Sequence, residues 1–407
     1  MANLFQKIPL LAALFLGALS THAAPPPARL RTWETIGSAR EAKAIEAAAR
    51  KNAILVIDPH LTGFEPPEAA RKANPDLAIL ARLNVLTRSP AGPWWKSVRN
   101  NEHWFYHDDE GERIEIADPD RPTGLERGFA MDPGQPPYRT WCLARAKRFR
   151  RSGFDGALLH GILPYSPFVG RHVSDVPTRR MQGRRVPFTE AEIVGDMHAL
   201  LRTVTQGIGR DVPNDDTPNE KKPFPVLIHA LRPTNMHASR RLAKEAGGAV
   251  MQPPIVEHGA FNALLFAPRI ELSKELTDNE KTVLFDASCA GDATAAEVRN
   301  AARLALAGYL LSESPTTALR FTGNDPPDLR AARSLLGKAT GEAAKTDDGL
   351  WTRPFARGRV LVYPTRGGTI EVSIKEGERL LLDDRTPRAG KLPLEGADGA
   401  IVVEAGG

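Results

Sequence analysis

Between residues 54 and 322 the chain alternates short, continuously apolar runs with longer segments whose apolar residues recur every three or four positions. The apolar runs fall at 54–58, 83–87, 129–132, 155–160, 225–230, 249–252, 282–286 and 318–322. Runs this short and this apolar predict strands buried on both faces. The segments 39–51, 136–152, 189–207, 238–246, 294–312 and 328–338 predict helices, and Thr189 followed by Glu192 has capping-box spacing. Strands alternating with helices predict a parallel sheet, and eight strand signals predict a (β/α)8 TIM barrel, a fold of about 250 residues. An open doubly wound sheet fits less well, because no glycine-rich turn of dinucleotide-binding type follows the run at 54–58.

From about residue 350 the pattern changes. Short strand-like runs at 359–364, 369–374, 379–382 and 400–403 are separated by Gly, Asp and Pro turns, with no helix of useful length between them. They predict a small C-terminal antiparallel β-sandwich module that needs the barrel to pack against. The expected organisation is a signal peptide over 1–23, a barrel over 24–345 and the β module over 346–407. The signal reading rests on Lys7, the apolar stretch 8–19 and the small residues around Thr21-His22-Ala23, a cleavage site before Ala24. That stretch is too short to span a bilayer comfortably, and Pro25-Pro26-Pro27 follows it directly. The mature chain is therefore expected to be secreted or periplasmic, without stable membrane insertion.

Composition narrows the picture further. Hydrophobic residues make up 42% and charged residues 25%, which excludes wholesale disorder. A net charge of +5 is too small in a chain of 407 residues to argue for a nucleic-acid partner. The two cysteines, Cys142 and Cys289, exclude a disulfide framework and a thiolate zinc site, and both are expected as free thiols.

In a barrel, functional groups stand at the C-terminal strand ends and in the loops after them. Those places hold Asp58 and His60, the segment containing Glu102, Trp104, Tyr106 and His107, then Asp132, His160 with Tyr165 beyond it, His229, Gln252 with Glu257 beyond it, and Asp286. Trp94, Trp95, Trp104, Tyr106 and Tyr165 offer flat apolar faces to pyranose rings, while the charged groups take hydroxyls. Each of these aromatics also has a plain packing role open to it, and Trp94-Trp95 after Pro93 fits the cover of a barrel end. His60, His107, His160, His229 and Asp286 allow a metal-dependent hydrolase as a further alternative. Asp58-Pro59-His60 departs from the HxH opening of metallohydrolase barrels, so no metal and no other cofactor is expected. Asp155, at the start of its strand, reads as turn or cap chemistry. The arginine-rich stretches 145–151 and 179–185 read as a solvated helix face and as part of a long lid loop with a weak signal for an anionic ligand.

Several motifs in order carry a family resemblance: Trp104-Phe105-Tyr106-His107-Asp108, Gly111-Glu112-Arg113-Ile114, Met131-Asp132-Pro133, Tyr138-Arg139-Thr140-Trp141, and Gly153 through Gly161. Further on, Ala305 through Leu311, Leu336-Gly337-Lys338 and Trp351 through Val362 continue it. Together they resemble the hypothetical glycosyl hydrolase-like barrel proteins, family fifteen among them, over about residues 50 to 405. The resemblance implies a barrel with a C-terminal β-sandwich that cleaves glycosidic bonds through carboxylates. Where the family places an acid at the end of strand four, this chain has His160; the acid near strand six corresponds to Glu257 or is replaced by Gln252. Glycoside hydrolysis usually requires two carboxyl groups, about 5–5.5 Å apart for retention and about 6.5–9.5 Å for inversion. The expected catalytic set is Glu257 as general acid, Asp132 or Asp286 as second carboxylate, and His160 orienting substrate or tuning an acid. Asp58, His60, Trp95, Trp104, His107, Tyr165, His229 and Gln252 are expected to bind a polysaccharide or oligosaccharide. The alternative from another class is a catalytically silent barrel that binds glycan.

Overall fold

The computed structural model describes residues 30–36, 44–117, 127–168, 176–181, 184–210, 223–231, 236–251, 256–257, 260–261, 263–288, 293–322, 329–365, 367–387, 390–396 and 398–404. The expected signal segment, Gln252 and Cys289 lie outside the described residues. Eight strands alternate with eight helices: β1 (Trp33–Ile36), α1 (Ile45–Lys51), β2 (Ile54–Ile57), α2 (Glu68–Ala73), β3 (Ala78–Asn84), α3 (Pro136–Arg151), β4 (Gly156–His160) and α4 (Glu190–Arg210). They continue with β5 (Val226–Leu231), α5 (Met236–Glu245), β6 (Gly248–Met251), α6 (Ala263–Asp278), β7 (Thr282–Ser288), α7 (Ala295–Leu311), β8 (Thr317–Thr322) and α8 (Leu329–Leu336). Each strand pairs in parallel with the next one in sequence. The last closes on the first, through the Leu319 amide donating to the Arg31 carbonyl at 2.9 Å and a parallel bridge between Thr32 and Leu319. This is a (β/α)8 barrel, as the alternation predicts.

Three strand expectations change. The run at 83–87 meets the barrel only at its start, because β3 covers Ala78–Asn84 and Thr87 pairs in a side sheet. The run at 129–132 is not a barrel strand: Arg127–Ala130 joins Thr87–Arg88 and Glu115–Ala117 in a three-stranded antiparallel sheet within the long connection from β3 to α3. The barrel takes Trp33–Ile36 instead, which has no apolar run because Glu34 and Thr35 separate its two buried residues. All later strands keep their expected place in the order.

Alternation along the strands decides what lies inside. Trp33, Ile54, Val56, Leu80, Leu158, Leu227, Val250, Leu284 and Ala318 form one cluster, with at least one residue from each strand, and it fills the barrel interior. The other strand faces join the helices in the main core, where Leu55, Ile57, Leu83, Leu159, Ile228 and Phe285 are fully buried. At the N-terminal end, Asp155 accepts hydrogen bonds from the Ile79 amide at 2.8 Å and from Arg71 at 3.0 Å, a tether to the neighbouring strand and helix in place of the local turn or cap chemistry expected of it.

The C-terminal module holds β9 (Trp351–Phe355), β10 (Gly358–Tyr363), β11 (Thr369–Ser373), β12 (Glu378–Leu381), β13 (Lys391–Glu395) and β14 (Asp398–Glu404). Strands β9, β10, β14 and β12 line up in one antiparallel sheet with the short strand Ala344–Lys345 at its edge, and β11 pairs with β13. Leu361, Val402, Leu392 and Leu394 pack between the two sheets. Val360, Val362, Ile401 and Val403, on the opposite face of the same strands, join the barrel core. A strand pair buried on both faces is what fixes this module to the barrel.

Candidate functional site

Two residues beyond the apolar layer, the same inward positions turn polar. Leu80 is followed by Arg82, Leu158 by His160, Leu227 by His229, Leu284 by Asp286, Ala318 by Arg320 and Trp33 by Thr35. Period-2 geometry therefore points these side chains into the C-terminal mouth of the barrel. The contacts agree. Arg320 grips Asp286 with both arms, Nε to Oδ1 at 2.8 Å and Nη2 to Oδ2 at 2.6 Å. Its remaining nitrogen donates to Thr35 Oγ1 at 2.7 Å, and its guanidinium lies 4.3 Å from the Trp33 ring centroid. On the opposite wall, His160 and His229 bring their ring centroids to 4.2 Å. His160 is buried and His229 half-buried. Among the described residues the mouth thus presents two imidazoles, two guanidiniums, and a carboxylate whose two oxygens are both engaged by one arginine.

The other expected residues divide between this mouth and its surroundings. Asp58 follows β2 and caps the turn Pro59–Thr62, accepting from the His60 amide at 3.0 Å. His60 leaves the mouth and packs edge-on against Phe64 and Trp94. Burial, with Arg145, Arg148 and Arg88 nearby, pushes its imidazole down to about 4. Trp95 stacks on Phe129 at 5.5 Å, and Trp104 is buried against Tyr138. For these two indoles the packing role prevails over the sugar-facing one. Tyr165 is half-buried in the loop after β4. His107 binds Glu102 at 2.8 Å and lines a cavity of 320 Å³ together with Gly111, Thr178, Arg179 and Arg185. The last three belong to a hairpin, Thr178–Met181 with Arg184–Pro187, inserted between β4 and α4. The Glu257 backbone lies in a short strand, Val256–Glu257, paired antiparallel with Ala260–Phe261 in the connection after β6. The five groups considered for a metal do not converge, and among the described residues no three His, Cys, Asp or Glu side chains gather as a metal site.

Asp132 is drawn away from the strand ends, because the run that carries it belongs to the side sheet. It is buried, accepting from the Gly134 amide at 2.8 Å and from Gln135 at 2.6 Å. A Cβ on Gly134 would stand 2.9 Å from Asp132 Oδ1 and 2.7 Å from Asp196 Oδ2, so two carboxylates share the space above this glycine. Burial raises Asp132, and burial followed by the charge of Asp132 pushes Asp196 up to about 6. Asp196 is the ionisable partner that sequence reasoning misses. Its available signal is an acid between Ile193 and Met197, on the helix face that both bury.

Fold and mouth together define a (β/α)8 barrel with a polar C-terminal opening and a β-sandwich module. No family model and no curated protein matches the chain. Among solved structures it is similar to Eubacterium rectale Amy13B, at 9% identity over 92% of this chain and 95% of that one, with a TM-score of 0.49. A GH13_31 family enzyme is similar at 12% identity, covering 92% and 98%, with a TM-score of 0.49. An alpha-amylase from H. orenii follows at 11% identity, covering 92% and 99%, with a TM-score of 0.46. Likeness this distant assigns no chemistry; the architecture stands on the strand order and the closure of the sheet.

Proposed function

We propose that the chain is an exported glycan-active barrel, a glycoside hydrolase that takes a polysaccharide or oligosaccharide at the mouth of β1–β8. One observation carries this reading: on six of the eight strands the inward positions turn from apolar to polar in a single layer at the C-terminal end. A barrel end that served only stability would gain from continued apolar packing, whereas hydroxyl-rich ligands require convergent donors and acceptors. In the reaction, Glu257 delivers a proton to the leaving glycosidic oxygen, the bond from that oxygen to the anomeric carbon breaks, and water supplies the hydroxyl to that carbon while its other proton restores the carboxyl of Glu257. Asp286, fixed by Arg320, faces the positive charge that develops, and His160 with His229 orients the sugar. The ordered motifs that resemble the glycosyl hydrolase-like family fifteen support the same reading, as does the leader-like pattern over 1–23 for export to the periplasm or beyond.

A second reading, a catalytically silent glycan binder, is favoured by one specific feature. Both oxygens of Asp286 are held by Arg320, and the inward position at the end of β4 carries an imidazole rather than an acid. A panel of polysaccharides scored separately for binding and for reducing-end release decides between the two. The enzyme reading expects release that falls about 10²–10⁴-fold in Glu257→Gln with binding retained. Binding with no release by the unmodified protein establishes the silent barrel.

A further inference from the structure

Beside the mouth, between the turn after β2 and helix α3, three arginines converge without a counter-charge. Trp141, Arg145 and Arg148 stand at helical spacing on one face of α3. The Arg145 guanidinium lies 4.6 Å from the Trp94 centroid and 5.0 Å from that of Trp141. Arg88, buried with its terminal nitrogens donating to the Asn84 and Thr87 carbonyls and the Tyr138 hydroxyl, adds its charge beside the same Trp141 ring at 5.0 Å, and Arg148 lies 4.2 Å from the Phe64 centroid. Among the described residues, no carboxylate pairs with Arg88, Arg145 or Arg148, whereas the buried Arg303 and Arg333 each have one. The side chain of Arg145 buries its Nε without an acceptor, and His60 Nε2 is buried without one alongside. Phe64 is held in a left-handed backbone conformation, φ 71°, which a residue with a Cβ adopts only when its surroundings require it.

Stacking on aromatic faces occupies the plane of a guanidinium and leaves its N–H edge to donate. Two such edges beside a third cation, all lacking an anion, make a receptor for a group with several oxygen acceptors. We propose that Arg145 and Arg148, with His60 and the buried charge of Arg88 at their side, bind the oxyanion of an acidic saccharide, a uronate carboxylate or a sulfate ester, carried by the chain whose neutral part lies at the barrel mouth. The saccharide half of this inference rests on the glycan reading above; the oxyanion half rests on the arginines alone. Crowding supports it: Arg145 loses proton affinity first to burial and then to Arg148 and Arg88, a strain that a bound anion relieves.

The test is a titration of the purified protein, followed by tryptophan fluorescence and calorimetry, with trigalacturonate, a sulfated heparin disaccharide, inorganic sulfate and neutral maltotriose. At low salt, at least one acidic saccharide should bind more tightly than maltotriose, and Arg145→Gln should weaken that binding about 10- to 100-fold. Arg148→Gln, at an exposed position, carries the same expectation and serves if the half-buried variant fails to fold in a thermal melt. Affinity for inorganic sulfate with none for either acidic saccharide overturns the saccharide assignment. Acidic-saccharide binding unchanged in both variants, or no preference over maltotriose, overturns the oxyanion site and leaves the glycan reading of the mouth standing.

Discussion

His160 and His229 meet because β4 and β5 are parallel neighbours in register, Leu159 opposite Ile228, so the next inward residues stand side by side. The same logic joins Asp286 to Arg320, which face each other directly across β7 and β8. Asp132 and Asp196 come together differently, through a loop and a helix that approach over Gly134. The folded state favours the protonated form of Asp196, whose carboxyl rises from 3.8 to about 6. Folded protein therefore binds more protons than unfolded protein between those values, and stability falls as pH rises through that window. Asp196→Asn keeps the shape and removes the titration. Its melting temperature should exceed that of the parent above pH 7, and the decline between pH 4 and 6 should shrink. An identical pH profile for parent and variant contradicts the shared-space account.

Among the elements, those with continuous apolar runs were legible in advance, and those without were not. β2 and β4 through β8 show such runs, while β3 begins at Ala78, ahead of the run expected at 83–87; the capping box also holds, with Glu192 and Thr189 bonding reciprocally. β1 escapes notice because two of its four residues are polar, so its pairing with β2 and β8 leaves no apolar run in the sequence. The helix α6 escapes because Pro268 stands inside it, and a proline there reads as a stop. The run at 129–132 misleads because its residues Phe129 and Ala130 pack in a side sheet whose burial resembles that of a barrel strand. That error also put Asp132 at a strand end. Of the candidate site, His160, His229 and Asp286 follow from strand ends alone, whereas Arg82, Arg320 and Thr35 required the register. Close strand packing gives a further prediction. A Cβ on Gly248, which opens β6, would stand 2.2 Å from the Thr282 carbonyl oxygen on β7. Gly248→Ala should cost about 3 kcal/mol in chemical denaturation. A variant within 0.5 kcal/mol of the parent, about the usual size of a surface change, contradicts this register.

At the scale of the whole molecule, α7 is the seam between barrel and module. Arg303 on α7 bonds Asp383 at 3.1 Å and Asp398 at 3.0 Å, and also donates to the Gly399 carbonyl. Burial pushes Asp383 up, but its bonds from Arg385 and the charge of Arg303 outweigh that and hold it below the usual carboxylate range. Arg303→Met leaves Asp383 and Asp398 to Arg385 alone and should destabilise the protein by about 1.5–3 kcal/mol, part of it recovered when Asp383→Asn is added. Strictly additive losses in the double variant contradict the coupling. The long connections that follow β3 and β4 leave from the same end of the barrel as the mouth. The central claim, that this mouth is where glycan binds, is tested most directly by titration calorimetry. The probe is the best oligosaccharide from the panel, measured against the parent and against His160→Ala combined with His229→Ala, with thermal melts confirming that both are folded. The account predicts binding at least about 10-fold weaker in the double variant, the loss expected when two polar contacts to a ligand are removed. Equal affinity in two folded proteins would place the glycan elsewhere and contradict it.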